Sequence, residues 1–253
     1  MRTTANASKA GAAQVAPGVW RLGTDFINYY VLEEGGRLTV VDAGAPKFGA
    51  TLEAELGAAG LSLGDVEAVV LTHSDSDHTG VVPLLQEAGA HVLIHEADEE
   101  TLRKPRPKTG DARPSRLLRE LWRPGFWRMM TTMTRAGAAH PPKVEGAETY
   151  SDGDLMDVPG GPRAIHTPGH TAGNSAIHFE ERGVLFAGDT MCSLNPLTRA
   201  RGPQLMPHSF NVSNVQARES LAKIEGLGAD VVLFGHGEPW GGGVAAAVGR
   251  ARG

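Results

Sequence analysis

The stretch that most restricts what this chain can fold into is His73-Ser74-Asp75-Ser76-Asp77-His78-Thr79-Gly80, which comes just after the apolar run Val69-Val70-Leu71. It sets four metal-capable side chains, His73, Asp75, Asp77 and His78, within six residues. Burying such groups without partners costs roughly 2–7 kcal/mol each by transfer estimates. An apolar strand that empties into them therefore cannot end in an ordinary core. A bound dication would turn the same cluster into a site.

Composition narrows the setting. The chain has 253 residues, 41% hydrophobic and 21% charged, as expected for a globular protein with a sizeable core. A formal net charge of −5 gives no footprint for nucleic acid. The single cysteine, Cys192, excludes an internal disulfide and a thiolate zinc cage, and reads as a packed thiol. No apolar run approaches the roughly 18 residues of a membrane span, so no membrane partner is expected. Residues 1–14, rich in Ala, Thr and Ser, read as a flexible N-terminal tail without a secretory h-region, which makes a cytoplasmic location the expectation. Residues 15–253 then form one domain.

Along that domain strands alternate with helices. Val19–Leu22, Ile27–Leu32, Leu38–Val41, Val66–Leu71 and His91–His95 are β-rich runs. Phe48, Leu52 and Leu56 recur at the spacing of an amphipathic helix, and Val81–Ala88 reads as another. Arg163–His166 leads into Thr167-Pro168-Gly169-His170-Thr171, Val184–Ala187 into Gly188-Asp189-Thr190, and Asp230–Phe234 into Gly235-His236-Gly237. Ser213 and Gln216 form a capping box that opens a helix through Ile224. Residues 104–145 differ: they are proline-rich and basic, with a helical piece at Ser115–Trp122 and a bulky Phe126-Trp127-Arg128-Met129-Met130 run. This segment reads as an inserted lid over the site, or else as a surface excursion that packs its aromatics on the body.

Four strand ends thus deliver His73, Asp75, Asp77, His78, His170, Asp189 and His236 into loops. Imidazole nitrogen and carboxylate oxygen suit zinc and related divalent ions, and seven such residues suffice for two ions. In these segments, and in Val41-Asp42-Ala43-Gly44, the sequence resembles the metallo-β-lactamase superfamily. The resemblance implies an α/β fold, a four-layer αββα sandwich with a binuclear site at one edge, here with a lid insertion. It also implies that His73, position 75 and His170 hold a first metal, that Asp77, His78 and His236 hold a second, and that Asp189 bridges them.

Most of that family carries a third His where this chain has Asp75. Three readings are open: Asp75 ligates directly, holds the ion through a water, or marks a noncatalytic site. A harder oxygen donor shifts preference from zinc toward manganese or iron. The expected cofactors are two divalent metal ions, zinc first, with manganese or iron as alternatives.

Two cations sharing a water lower its pKa from about 15.7 toward neutrality. The expected enzyme is therefore a binuclear metallohydrolase whose metal-bridging hydroxide, oriented by Asp77, attacks an ester, thioester, lactone or amide carbonyl of a small molecule. The alternatives are an iron-dependent oxygenase or dioxygenase of the same fold and a noncatalytic small-molecule binding protein. Asp42 is a candidate to hydrogen-bond a ligating imidazole. His208 and Trp127 are candidate substrate contacts, and His95 is a candidate support for the site.

Overall fold

The computed structural model describes residues 12–253. Its first sheet has seven strands in chain order: β1 (Ala13–Ala16), β2 (Val19–Gly23), β3 (Asn28–Glu34), β4 (Arg37–Val41), β5 (Val66–Val70), β6 (His91–His95) and β7 (Glu148–Tyr150). Strands β1 to β4 are antiparallel, and β4 to β7 run parallel. The parallel half needs crossovers. These contain α1 (Leu52–Ala58) between β4 and β5, α2 (Val82–Glu87) between β5 and β6, and α3 (Glu96–Arg103) after β6. Of the residues expected to be a tail, Ala13 and Gln14 belong to β1, paired with Arg21 and Trp20; residues 1–11 lie outside the described ones.

The second sheet has the order β13-β10-β9-β8, from β8 (Arg163–His166), β9 (Ser175–Phe179), β10 (Val184–Phe186) and β13 (Val231–Leu233). Helices α6 (Asn214–Ile224) and α7 (Val244–Ala251) pack on it, and β11 (Cys192–Leu194) with β12 (Arg201–Gln204) makes a separate ribbon. Ser213 caps α6 by accepting from the Gln216 N–H, as its capping box predicts.

Alternation along the strands builds the layers. On β3, Tyr29 and Val31 face the α1–α2 side with Leu52, Leu56 and Leu85. Their neighbours Tyr30 and Leu32 face the other way, into a core shared with Ile177, Phe179, Phe186 and Leu233 of the second sheet. Leu185 and Val232 point from that sheet onto Leu221, Ile224 and Val248 of α6 and α7. Three cores between four layers are an αββα sandwich. Each fully buried Leu or Phe in them contributes about 1.5–3 kcal/mol.

The crossover from β6 to β7 also contains the whole 104–145 segment. Helix is sparser there than expected over Ser115–Trp122, where a single turn, α4 (Pro114–Leu117), passes into a 3-10 turn at Leu118–Glu120. The principal element is α5 (Pro124–Ala136), which takes up the Phe126–Met130 run and ends at Gly137. Met129, Met133 and Ala136 of α5 dock on Phe26, Ala45 and Leu194. Among the described residues, no helix is long and apolar enough to cross a membrane.

Candidate metal centre

Every strand that feeds the site does so from its carboxyl end. His73 to His78 follow β5, His170 follows β8, Asp189 follows β10 and His236 follows β13, while Asp42 follows β4. Strand β3 pins the loop after β13: Asn28 donates from Nδ2 to the carbonyls of Phe234 and Gly237 at 3.0 and 2.6 Å. Tyr30 adds its hydroxyl to the Phe234 carbonyl at 2.8 Å. Gly235 has no substitute there, because a Cβ would meet His78 Cε1 at 2.4 Å and Asp189 Oδ1 at 2.8 Å.

The structure brings these side chains into two buried groups: His73, His170 and Asp189, and Asp77, His78 and His236. Within each, one potential ligand atom per residue lies within 4.8 Å of the others. Asp189 stands between the groups, with Oδ2 3.3 Å from both His170 Nε2 and His236 Nε2 and Oδ1 3.6 Å from His78 Nε2. Asp77 Oδ2 is 3.6 Å from His236 Nε2.

All four imidazoles are held by their other nitrogen. Nδ1 of His78 lies 2.8 Å from Asp42 Oδ2, that of His73 3.0 Å from Thr72 Oγ1, that of His170 3.3 Å from Asn211 Oδ1 and that of His236 2.5 Å from the Phe26 carbonyl. An oxygen acceptor at each Nδ1 fixes the tautomer that presents the Nε2 lone pair to the centre. Asp42 also accepts from the Thr72 amide and hydroxyl at 2.8 and 2.9 Å. It does so with φ 59°, a left-handed conformation that is costly for most residues and tolerated by Asp.

Charge in the centre is unbalanced. Burial pushes the Asp189 carboxyl up, but His236, His78 and His170 outweigh it and hold it well below the usual range. Burial disfavours a charged His78, yet Asp42, Asp189 and Asp77 push its pKa up to about 10. His236 is pushed up to about 9 in the same way, chiefly by Asp189 against burial. The carboxylates thus demand cations. His73 Nε2, His78 Nε2 and Asp189 Oδ1 are buried without any hydrogen-bond partner among the described residues. Orphaned donor atoms of the zinc-ligand type, converging in two groups, fit divalent metal ions.

Asp75 borders the group of His73, His170 and Asp189 on its Lys108 side. Its Oδ2 is 3.5 Å from His73 Nε2 and 2.9 Å from His170 Nε2, but Lys108 Nζ lies nearer, at 2.5 Å. Burial pushes the Asp75 carboxyl up; the charge of Lys108 and the imidazoles of His170 and His73 outweigh it and hold it well below the ordinary range.

The centre opens into a cavity of about 390 Å³. Phe126, Met129, Met130 and Met133 of α5, with Phe26 and Phe210, make an apolar wall. Lys108 also lines it. Trp127 does not: it is 57% exposed and its indole donates to the Leu121 carbonyl. His208 is exposed and takes no part in the cavity, offering only its backbone carbonyl to Asn214. His95 stacks on His166 at 4.0 Å and accepts from the Ala97 amide, away from the centre. Cys192 is buried, and desolvation holds its thiol well above its usual pKa.

Three contributors escaped sequence reasoning. Lys108 carried no signal beyond a basic residue following Pro105-Arg106-Pro107. Asp98 looks like one acid of a helix start, but it accepts from the amides of Ser74 at 3.0 Å and Gly173 at 2.7 Å, joining the His73 and His170 loops. Asn211 positions His170.

An αββα sandwich with such a centre at the carboxyl ends of its strands defines a metal-binding architecture. The chain belongs to the metallo-β-lactamase superfamily, whose family profile matches residues 22–236. It is similar to "Probable metallo-hydrolase YflN" of Bacillus subtilis, 27% identical over 91% of this chain and 88% of that one. "Probable metallo-hydrolase YqjP" of the same organism is 26% identical over 85% of this chain and 68% of that one. Among solved structures, the metallo-β-lactamase family protein TTHA1429 of Thermus thermophilus superposes with a TM-score of 0.65 at 26% identity, covering 94% of this chain and 79% of that one.

Proposed function

We propose that this chain is a metal-dependent hydrolase acting on an ester, thioester, lactone or amide carbonyl of a small molecule. The observation that carries the reading is the pair of buried ligand groups flanking Asp189 beside an apolar cavity. Asp77, His78 and His236 would hold one divalent ion, and His73 and His170, with Asp75 beside them, the other, Asp189 being shared. Zinc suits this donor set, and manganese or iron suits its carboxylate share. Divalent ions supply Lewis acidity and bring the pKa of water from about 15.7 toward neutrality.

The remaining work belongs to the chain's own groups. Asp77 accepts from the attacking water and orients it, since it lies at the edge of the centre and also lines the cavity. The Met and Phe side chains of α5 exclude bulk water, which strengthens every charge interaction inside. They also favour a substrate whose unreactive part is apolar, such as an acyl or alkyl group, because apolar surface removed from water contributes about 25 cal/mol per Å². Of the basic residues of the 104–145 segment, Lys108 lines this surface, whereas Arg113, Arg119 and Arg128 are exposed.

A panel of chromogenic esters, thioesters, lactones and β-lactams tests the proposal. At least one class turns over, longer acyl groups have the lower KM, and EDTA abolishes the rate. Absence of metal-dependent turnover across all four classes overturns it.

A further inference from the structure

The two ligand groups are not equivalent. Around Asp77, His78 and His236 there is no lysine or arginine within ion-pair distance among the described residues. At the other group, Lys108 reaches in from the proline-flanked segment after α3 and places Nζ 2.5 Å from Asp75 Oδ2, 2.8 Å from His170 Nε2 and 3.3 Å from the Phe210 carbonyl. Those three acceptors match the three hydrogens of an ammonium.

His170 decides what this contact means. Its Nδ1 faces Asn211 Oδ1, so its Nε2 carries the ring's one free lone pair. That lone pair either accepts from Lys108 or binds a metal, and it cannot do both. Asp75 Oδ2 and His170 Nε2 stand 2.9 Å apart. Two acceptors stay that close when one cation sits against both. Asp75 is also the position where a third imidazole is usual in the family. A carboxylate there gives the lysine its counter-charge, which an imidazole would not.

We propose that Lys108 is a tethered cation standing in the first metal position, so that the protein binds one divalent ion tightly, at Asp77, His78 and His236, and admits a second only by displacing the lysine. The proposal rests on the metal-dependent reading above. The ammonium keeps a positive charge against Asp75 and beside the cavity, where that charge attracts an anionic oxygen of the substrate without a hydrogen bond to it. It does so without the geometric demands of a bound ion, and the Lys108 backbone holds it in place.

Equilibrium dialysis of the full chain against zinc, and separately manganese, followed by elemental analysis, tests it. The wild type retains roughly one ion per chain and Lys108→Met roughly two, since freeing His170 and Asp75 restores ligands that must be unprotonated and unpaired to bind. Lys108→Ala gives the same count and guards against blockage by the methionine side chain; thermal melts of both confirm folding. His236→Ala, with Lys108 in place, loses the tight ion. Two ions in the wild type, or one in both Lys108 variants, overturns the proposal. No ion in any form, with the chain folded, overturns it together with the metal-dependent reading. Wild-type and variant counts that agree at two leave that broader reading standing.

Discussion

At the scale of single residues, the centre is a set of imidazoles each held by its far nitrogen, and the holder matters as much as the ligand. Asp42 binds His78 Nδ1 and the Thr72 amide and hydroxyl together, and Thr72 in turn faces His73 Nδ1. One carboxylate thus orients one imidazole in each group. Asp42→Asn keeps the shape but leaves an amide whose NH₂ opposes the His78 N–H. Losing such a support typically costs 10- to 100-fold in metal affinity, so competition with a chromogenic chelator should show weakening of about that size. An unchanged affinity would mean that His78 is oriented by its surroundings without Asp42. The candidate ligands were legible in the sequence because each lies in the loop that follows a strand, and His170, Asp189 and His236 sit beside a glycine. Lys108 was not, because its partner Asp75 lies 33 positions away and only the β6–β7 crossover brings them together.

At the scale of elements, α5 converts a metal centre into a cavity with an apolar wall. Its boundaries were written in the sequence as Pro124 at the first turn and Gly137 at the stop, yet the bulky run between them masked a 13-residue helix. Its aromatic pattern misled in another way. Phe126 packs inward while the adjacent Trp127 faces solvent, because neighbours on a helix point about 100° apart. Gly125 lets α5 approach the loop between β11 and β12: a Cβ there would stand 1.6 Å from the Leu197 carbonyl. Alanine would gain up to about 1 kcal/mol in helix propensity, whereas forcing an atom into packed surroundings costs about 1–3 kcal/mol. The clash is with backbone, so it wins. Gly125→Ala should lower Tm by several degrees and raise KM for apolar substrates more than it lowers kcat. A raised Tm would show that α5 is free to move.

At the scale of the whole molecule, function follows from where two sheets meet. The two sheets bring five strand ends, those of β4, β5, β8, β10 and β13, to one edge, where β3 of one sheet clamps the His236 loop of the other. The alternation that puts Tyr30 and Leu32 on one face and Tyr29 and Val31 on the other is visible in the sequence only as a continuous apolar run. The two-sheet division was therefore legible through resemblance to a family and not through periodicity. Central to the account is that hydrolysis depends on divalent ions held by these converged loops. Its most direct measurement strips the protein with chelator, then adds metal back in steps while bound metal and hydrolysis are recorded on the same sample. The account predicts no turnover in the stripped protein, a rate that rises with occupancy, and no recovery in His236→Ala. Turnover that survives stripping, or that returns equally in His236→Ala, would contradict it.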